Sequence, residues 1–130
     1  MLIRDAERAY PANSYAGLTA DGATFVVHRV PVSQVDKLGA ALRGRHPGLQ
    51  LAFADARHPR IVLNQVTEDI KKDIPYWRAE GVAVAAVAPH ADGSGVTVMV
   101  RQVTAELAAA MRERYEFPNL QLKQGEITPA

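Results

Sequence analysis

The chain has 130 residues and a mass of 14.1 kDa; 48% of its residues are hydrophobic and 22% charged. That composition excludes a disordered polymer, and the length suffices to remove about two-thirds of the extended surface from water. Fifteen basic against fourteen acidic side chains leave +1, so no global charge draws the chain to nucleic acid or anionic membrane. The lack of cysteine excludes a disulfide scaffold, a thiol nucleophile and thiolate-bound zinc.

The opening residues, Met1-Leu2-Ile3-Arg4-Asp5-Ala6-Glu7-Arg8, carry charges where a signal peptide needs an apolar run. The default reading is therefore cytoplasmic, or secreted if a leader has been removed. No apolar stretch is long enough to span a membrane. Residues 1–14 read as a short charged helix followed by a loop. Tyr15–Thr19 and Ala23–Val30 then flank Ala20-Asp21-Gly22, and Asp-Gly between extended runs signals a hairpin because both positions tolerate positive φ. Pro31 stops the second run.

Ser33-Gln34-Val35-Asp36 has the form of a capping box, Val35, Leu38 and Leu42 keep helical spacing, and Gly44 stands where a C-terminal cap belongs. Leu49, Leu51 and Phe53 alternate with smaller or polar residues, as one strand face does. A second helix follows Pro59, with Leu63, Val66, Ile70, Ile74 and Trp77 in rhythm. Pro75 must kink or end that helix near Asp73, and Gly81 closes the segment. Val82–Ala88 and Val96–Val103 form the next pair of strands across a turn-rich connector. Thr104 is a suitable cap for Ala105–Tyr115, and Leu120–Lys123 is a last short strand.

Several strands show one bulky face only, so helices should cover one side of the sheet. The expectation is a two-layer α+β sandwich: a mixed sheet of five to six strands with about three helices on one face. The organisation read from the sequence is an N-terminal segment over 1–14, one α+β domain over 15–123 and a tail over 124–130, with no fixed-period repeat.

Catalytic constellations are sparse. His28, His46, His58 and His90 show no metal-ligand spacing, so neither a metal nor a cofactor is expected. Ser94 in Asp92-Gly93-Ser94-Gly95 lacks the spacing and the following helix of a nucleophile elbow. The carboxylates Glu68, Asp69 and Asp73, and Glu113 and Glu116, are interleaved with basic residues as on a solvated helix face. The chain therefore reads as non-enzymatic. Its other candidate surface is the helix-free sheet face, on which Ala52, Ala54, Thr97, Met99, Arg101, Val103, Gln121 and Lys123 should lie. Small, flexible and mildly apolar side chains suit the docking of a protein partner there.

Two further readings stay open. One is a small enzyme or ligand-binding domain with a pocket lined by His28, Tyr76 and Trp77, completed by a homodimer across the bare sheet face. The other is a nucleic-acid or anion binder using Arg43, Arg45, Arg57 and Arg60, for which the scarcity of interleaved aromatics argues poorly.

Several strings also resemble a family. Ser14-Tyr15-Ala16-Gly17-Leu18-Thr19-Ala20-Asp21-Gly22, Gly81-Val82-Ala83-Val84, Pro89-His90-Ala91-Asp92-Gly93-Ser94-Gly95-Val96-Thr97-Val98, the Ala-rich helix ending Arg114-Tyr115 and the closing Gly125-Glu126-Ile127-Thr128-Pro129 carry the likeness. Together they resemble the pro-region modules of bacterial chymotrypsin-like serine proteases of the α-lytic protease and streptogrisin type. The resemblance implies a non-catalytic module that assists folding of a protease and inhibits it. It implies docking through Val96–Val103 and Leu120–Lys123. It also implies a tail, Gln124–Ala130, entering the protease cleft, so that Glu126, Ile127, Thr128, Pro129 and Ala130 join the partner-binding residues.

Overall fold

The structure, a computed structural model, describes residues 2–125. The chain divides into two compact units: residues 1–62 with 91–94, and residues 63–90 with 95–130. The elements of the first are α1 (Leu2–Ala9), β1 (Tyr15–Asp21), β2 (Thr24–Arg29), α2 (Val35–Arg45) and β3 (Gln50–Asp55). Those of the second are α4 (Ile74–Ala79), β4 (Val84–Pro89), β5 (Val96–Val100), α5 (Ala105–Tyr115) and β6 (Leu120–Gln124), while α3 (Arg60–Lys72) begins in the first unit and continues through the second.

The α+β class holds, but the single sheet of five to six strands does not. The strands form two three-stranded sheets, β1-β2-β3 and β4-β5-β6. Each is mixed: its hairpin is antiparallel and its third strand parallel to the second. Alternation along a strand reports which residues share a face and says nothing of which strand lies alongside. A periodicity reading therefore could not count sheets.

The described residues form five helices, against the about three expected on the sheet and the short one expected in the N-terminal segment. That N-terminal helix forms as α1, and Ala6 of α1 and Tyr10 beyond it are core residues. Pro75 accounts for the remaining helix. The residue ends α3 at Lys72 and sits in the first turn of α4, where its missing N–H has no intrahelical acceptor to serve.

Both units run αββαβ, so the chain does contain a repeat. Asp21-Gly22 recurs as Asp92-Gly93, 71 positions on, whereas Leu42 and Leu51 have their counterparts in Met111 and Leu120, 69 positions on. The change of offset within the unit hides the repeat from a search at constant period. The register makes the equivalence concrete: Phe25 pairs with Leu51 in one sheet as Val96 pairs with Leu120 in the other.

Each sheet turns its bulky face to its own helices. In the first unit Val27 and Leu51 join Ala6, Tyr10, Tyr15 and Leu42, with Leu2, Leu38 and Phe53 packed around them. In the second, Val96, Val98, Val100 and Leu120 join Leu63, Ile70, Trp77 and Met111. A fully buried side chain such as Leu42 or Leu63 contributes about 2 kcal/mol through the apolar area withdrawn from water.

Local signals fared unevenly. Thr104 caps α5, its hydroxyl accepting the Leu107 N–H at 3.0 Å. The capping box at Ser33 does not form. Gln34 holds the cap position in a left-handed conformation (φ 65°), so the helix starts too late for the Ser33 hydroxyl to serve it. Nor does Gly44 end α2, which continues to Arg45 and places the His46 ring Nε2 2.8 Å from Asp5 Oδ2.

Candidate functional site

Register settles which of the expected docking residues share a surface. Thr97 lies beside Gln121 and Met99 beside Lys123, with Ala88 and Ala86 as their neighbours on β4. Their strand neighbours Val96, Val98 and Val100 fill the core, so these six residues occupy the face of the second sheet opposite its helices. Thr97 and Met99 are partly exposed, and Gln121 and Lys123 are exposed.

Ala52 and Ala54 do not belong to that surface. They lie on the corresponding face of the other sheet, in the first unit. Arg101 and Val103 also depart from expectation, because β5 ends at Val100. The chain bends there: the Arg101 N–H reaches the Ala83 carbonyl at 3.1 Å, and Thr104 must already be positioned to cap α5. Arg101 and Val103 instead border an open groove of about 780 Å³ with Val82, Ala83, Leu107 and Gln124. Glu126, Ile127, Thr128, Pro129 and Ala130 lie outside the described residues.

The edge of this sheet can be specified atom by atom. The Val96 N–H donates to the Asn119 carbonyl and the Gly125 N–H to the Val100 carbonyl. In a parallel ladder those two bonds turn the backbone groups of residues 119, 121, 123 and 125 toward β5. The groups of Leu120, Leu122 and Gln124 therefore point outward. Arg112 Nε covers one of them, donating to the Leu120 carbonyl at 2.9 Å. Leu122 and Gln124 keep their outward N–H and C=O as the uncovered part of the edge among the described residues.

Each helix-free face carries an imidazole bonded to a threonine. His28 Nε2 lies 2.7 Å from Thr19 Oγ1 in the first unit, and His90 Nε2 bonds Thr97 Oγ1 in the second. Burial holds the His28 imidazole below its ordinary value of 6.5, against a smaller opposing pull from the Asp92 carboxylate. His28 belongs to the first unit and Tyr76 and Trp77 to the second. The indole N–H of Trp77 is taken by the Tyr115 hydroxyl at 2.8 Å.

That bond belongs to a network which local sequence patterns cannot reveal, since it joins residues about forty positions apart. The Asp73 carboxylate accepts from Arg114 Nε at 3.0 Å and from the Tyr115 hydroxyl at 2.8 Å. The Arg114 guanidinium stacks 3.7 Å from the centre of the Tyr76 ring. Arg114 holds the Asp73 carboxyl below the usual carboxylate range, while burial, reinforced by Asp73, pushes the Tyr115 phenol up to about 12. A carboxylate so depressed is a weak proton acceptor. The arrangement braces α5 against the junction of α3 and α4.

The basic loop residues are partly absorbed by structure. Arg43 donates to the Leu51 carbonyl at 3.1 Å and stacks 5.1 Å from the centre of the Phe53 ring. Arg45 precedes β3 while Arg57 and Arg60 follow it, so β3 separates the two sets. Among the described residues no group of three or more His, Asp or Glu is placed to hold a metal ion. No described helix is long and apolar enough to cross a membrane.

Comparison with protein-family models, with curated proteins and with solved structures returns no match to the chain.

Proposed function

We propose that the protein is a non-catalytic binding module that accepts an extended segment of a partner protein along β6. The observation that carries this reading is the outward N–H and C=O of Leu122 and Gln124, beside the helix-free face bearing Thr97, Met99, Gln121 and Lys123. In strand addition main-chain hydrogen bonds supply affinity and the flanking side chains supply selectivity. Met99, unbranched and polarizable, adapts to varied apolar partners, and Lys123 favours an acidic side chain opposite it. The resemblance to pro-region modules names the partner class: a bacterial serine protease of the chymotrypsin-like type, which the module would inhibit or help to fold.

Titration of the purified chain against such proteases tests the proposal. Inhibition or binding at micromolar concentration is expected, together with at least a tenfold loss in Gln124→Pro, which deletes an outward N–H and leaves the bonds to β5 intact. Absence of binding removes protease control. Binding that is indifferent to Gln124→Pro removes strand addition.

A further inference from the structure

The first unit contains a cleft of about 180 Å³ bordered by Ile3, Glu7, Tyr15, Gly17, Leu18 and Arg60. Ile3 and Glu7 stand one turn apart on α1 and so face the same way. Tyr15, Gly17 and Leu18 come from β1, and Arg60 from the first residue of α3. Gly17 matters because a β-carbon there would strike the Ala91 carbonyl; its absence lets the backbone of Ala91 close one wall.

Three polar groups converge on this space. Tyr15 is 8% exposed, and burial raises its phenol above the ordinary value, with smaller contributions of opposite sign from the Glu7 and Arg60 charges. No hydrogen bond or ion pair engages Glu7 or Arg60 among the described residues. One negative and one positive side chain, Glu7 exposed and Arg60 partly so, thus border the cleft beside Ile3, Leu18 and the Tyr15 ring with no ion pair between them. The cleft is open to solvent, and its volume, close to that of an engineered cavity of roughly 150 Å³ that takes benzene, suits a small side chain.

We propose that this cleft binds a small apolar α-amino acid as its zwitterion. The ammonium meets Glu7, the carboxylate meets the guanidinium of Arg60, and the side chain lies against Ile3, Leu18 and the Tyr15 ring. A guanidinium matches a carboxylate with two parallel hydrogen bonds, which fixes the orientation. The pair also selects by repulsion: a simple cation reaching Glu7 meets Arg60 as a like charge, and a simple anion reaching Arg60 meets Glu7. Only a ligand carrying both charges avoids the penalty. This site lies in a different unit from β6, so its test and the protease titration succeed or fail separately.

Nuclear magnetic resonance of the full chain, titrated with L-valine, provides the test. Saturable shifts of the Gly17 and Leu18 amides are expected with L-valine, and none with L-valinamide or N-acetyl-L-valine, each of which lacks one charge. Arg60→Gln should weaken L-valine binding about ten- to hundredfold, the usual effect of deleting a charge-assisted hydrogen bond, with Arg60→Lys intermediate. Glu7→Gln should weaken L-valine similarly and narrow its advantage over N-acetyl-L-valine. Absence of a saturable shift with L-valine, equal shifts with all three compounds, or unchanged affinity in Arg60→Gln and Glu7→Gln would each overturn the proposal.

Discussion

The Tyr115 hydroxyl donates to the Asp73 carboxylate at 2.8 Å while accepting the indole N–H of Trp77 at the same distance. One side chain of α5 thus satisfies a buried tryptophan and a charged group at the junction of α3 and α4. Tyr115→Phe removes both bonds, leaving the Trp77 N–H buried without its acceptor. The expected loss is about 1–3 kcal/mol. Because Trp77 is the sole tryptophan, urea unfolding followed by its fluorescence measures this directly. A change below about 0.3 kcal/mol would show that the brace contributes nothing.

The same residue contributes to the loss of stability at alkaline pH, alongside the Tyr10 and Tyr15 phenols, which burial also raises. The folded Tyr115 phenol ionises near 12 against an ordinary value of 10.0, so the native state holds its proton more tightly than the unfolded chain. The stabilisation is complete below pH 10 and is lost as pH rises from 10 toward 12. Ultraviolet titration should show a tyrosine ionising near 12 that vanishes in Tyr115→Phe.

On the acid side the shifted groups fall in two separate windows, each losing stability as pH falls. His28 has a folded value below 6.5, so the unfolded chain binds a proton first and stability begins to decline just under that pH. Asp73, held down chiefly by Arg114, and Asp5, held down chiefly by its bond to His46, both have folded values below 3.8, so their contributions are present above that pH and lost below it. Unfolding midpoints measured between pH 8 and pH 3 should therefore fall in two stages. His28→Gln should flatten the first stage, and Arg114→Ala, which removes the main cause of the Asp73 shift, should shrink the second.

The two equivalent turn glycines should differ sharply. Gly22 and Gly93 both have positive φ, 60° and 79°. A β-carbon on Gly22 would meet open space, so Gly22→Ala should cost about 1 kcal/mol, the penalty of a left-handed residue alone. At Gly93 a β-carbon would lie 2.6 Å from that of Ala56 and 2.8 Å from that of Ala16. Gly93→Ala adds overpacking of about 1–3 kcal/mol to the conformational penalty. Thermal unfolding of the two variants side by side checks the difference.

Much of the local structure was legible because it depends on neighbours along the chain. The Asp-Gly hairpin, the Thr104 cap and the break at Pro75 each follow from the conformational range or hydrogen-bonding capacity of one or two residues. The same holds for the placing of Thr97, Met99, Gln121 and Lys123 on a face separate from the core, which strand alternation alone decides. Local rules failed where a distant residue intervened. Ser33 does not cap because Gln34 adopts the left-handed conformation, and α2 runs past Gly44 to where His46 meets Asp5.

By itself, then, the chain's pattern determined its element types and the side of each strand that is buried, since both depend on periods of two and 3.6 residues. Tertiary structure alone decided that six strands make two sheets and that one unit order occurs twice. It also decided that Arg101 and Val103 leave the sheet face and that Asp73, Trp77 and Tyr115 share a hydrogen-bonded network. Those outcomes depend on which segments meet across long stretches of sequence, and periodicity along one segment contains no term for its partner.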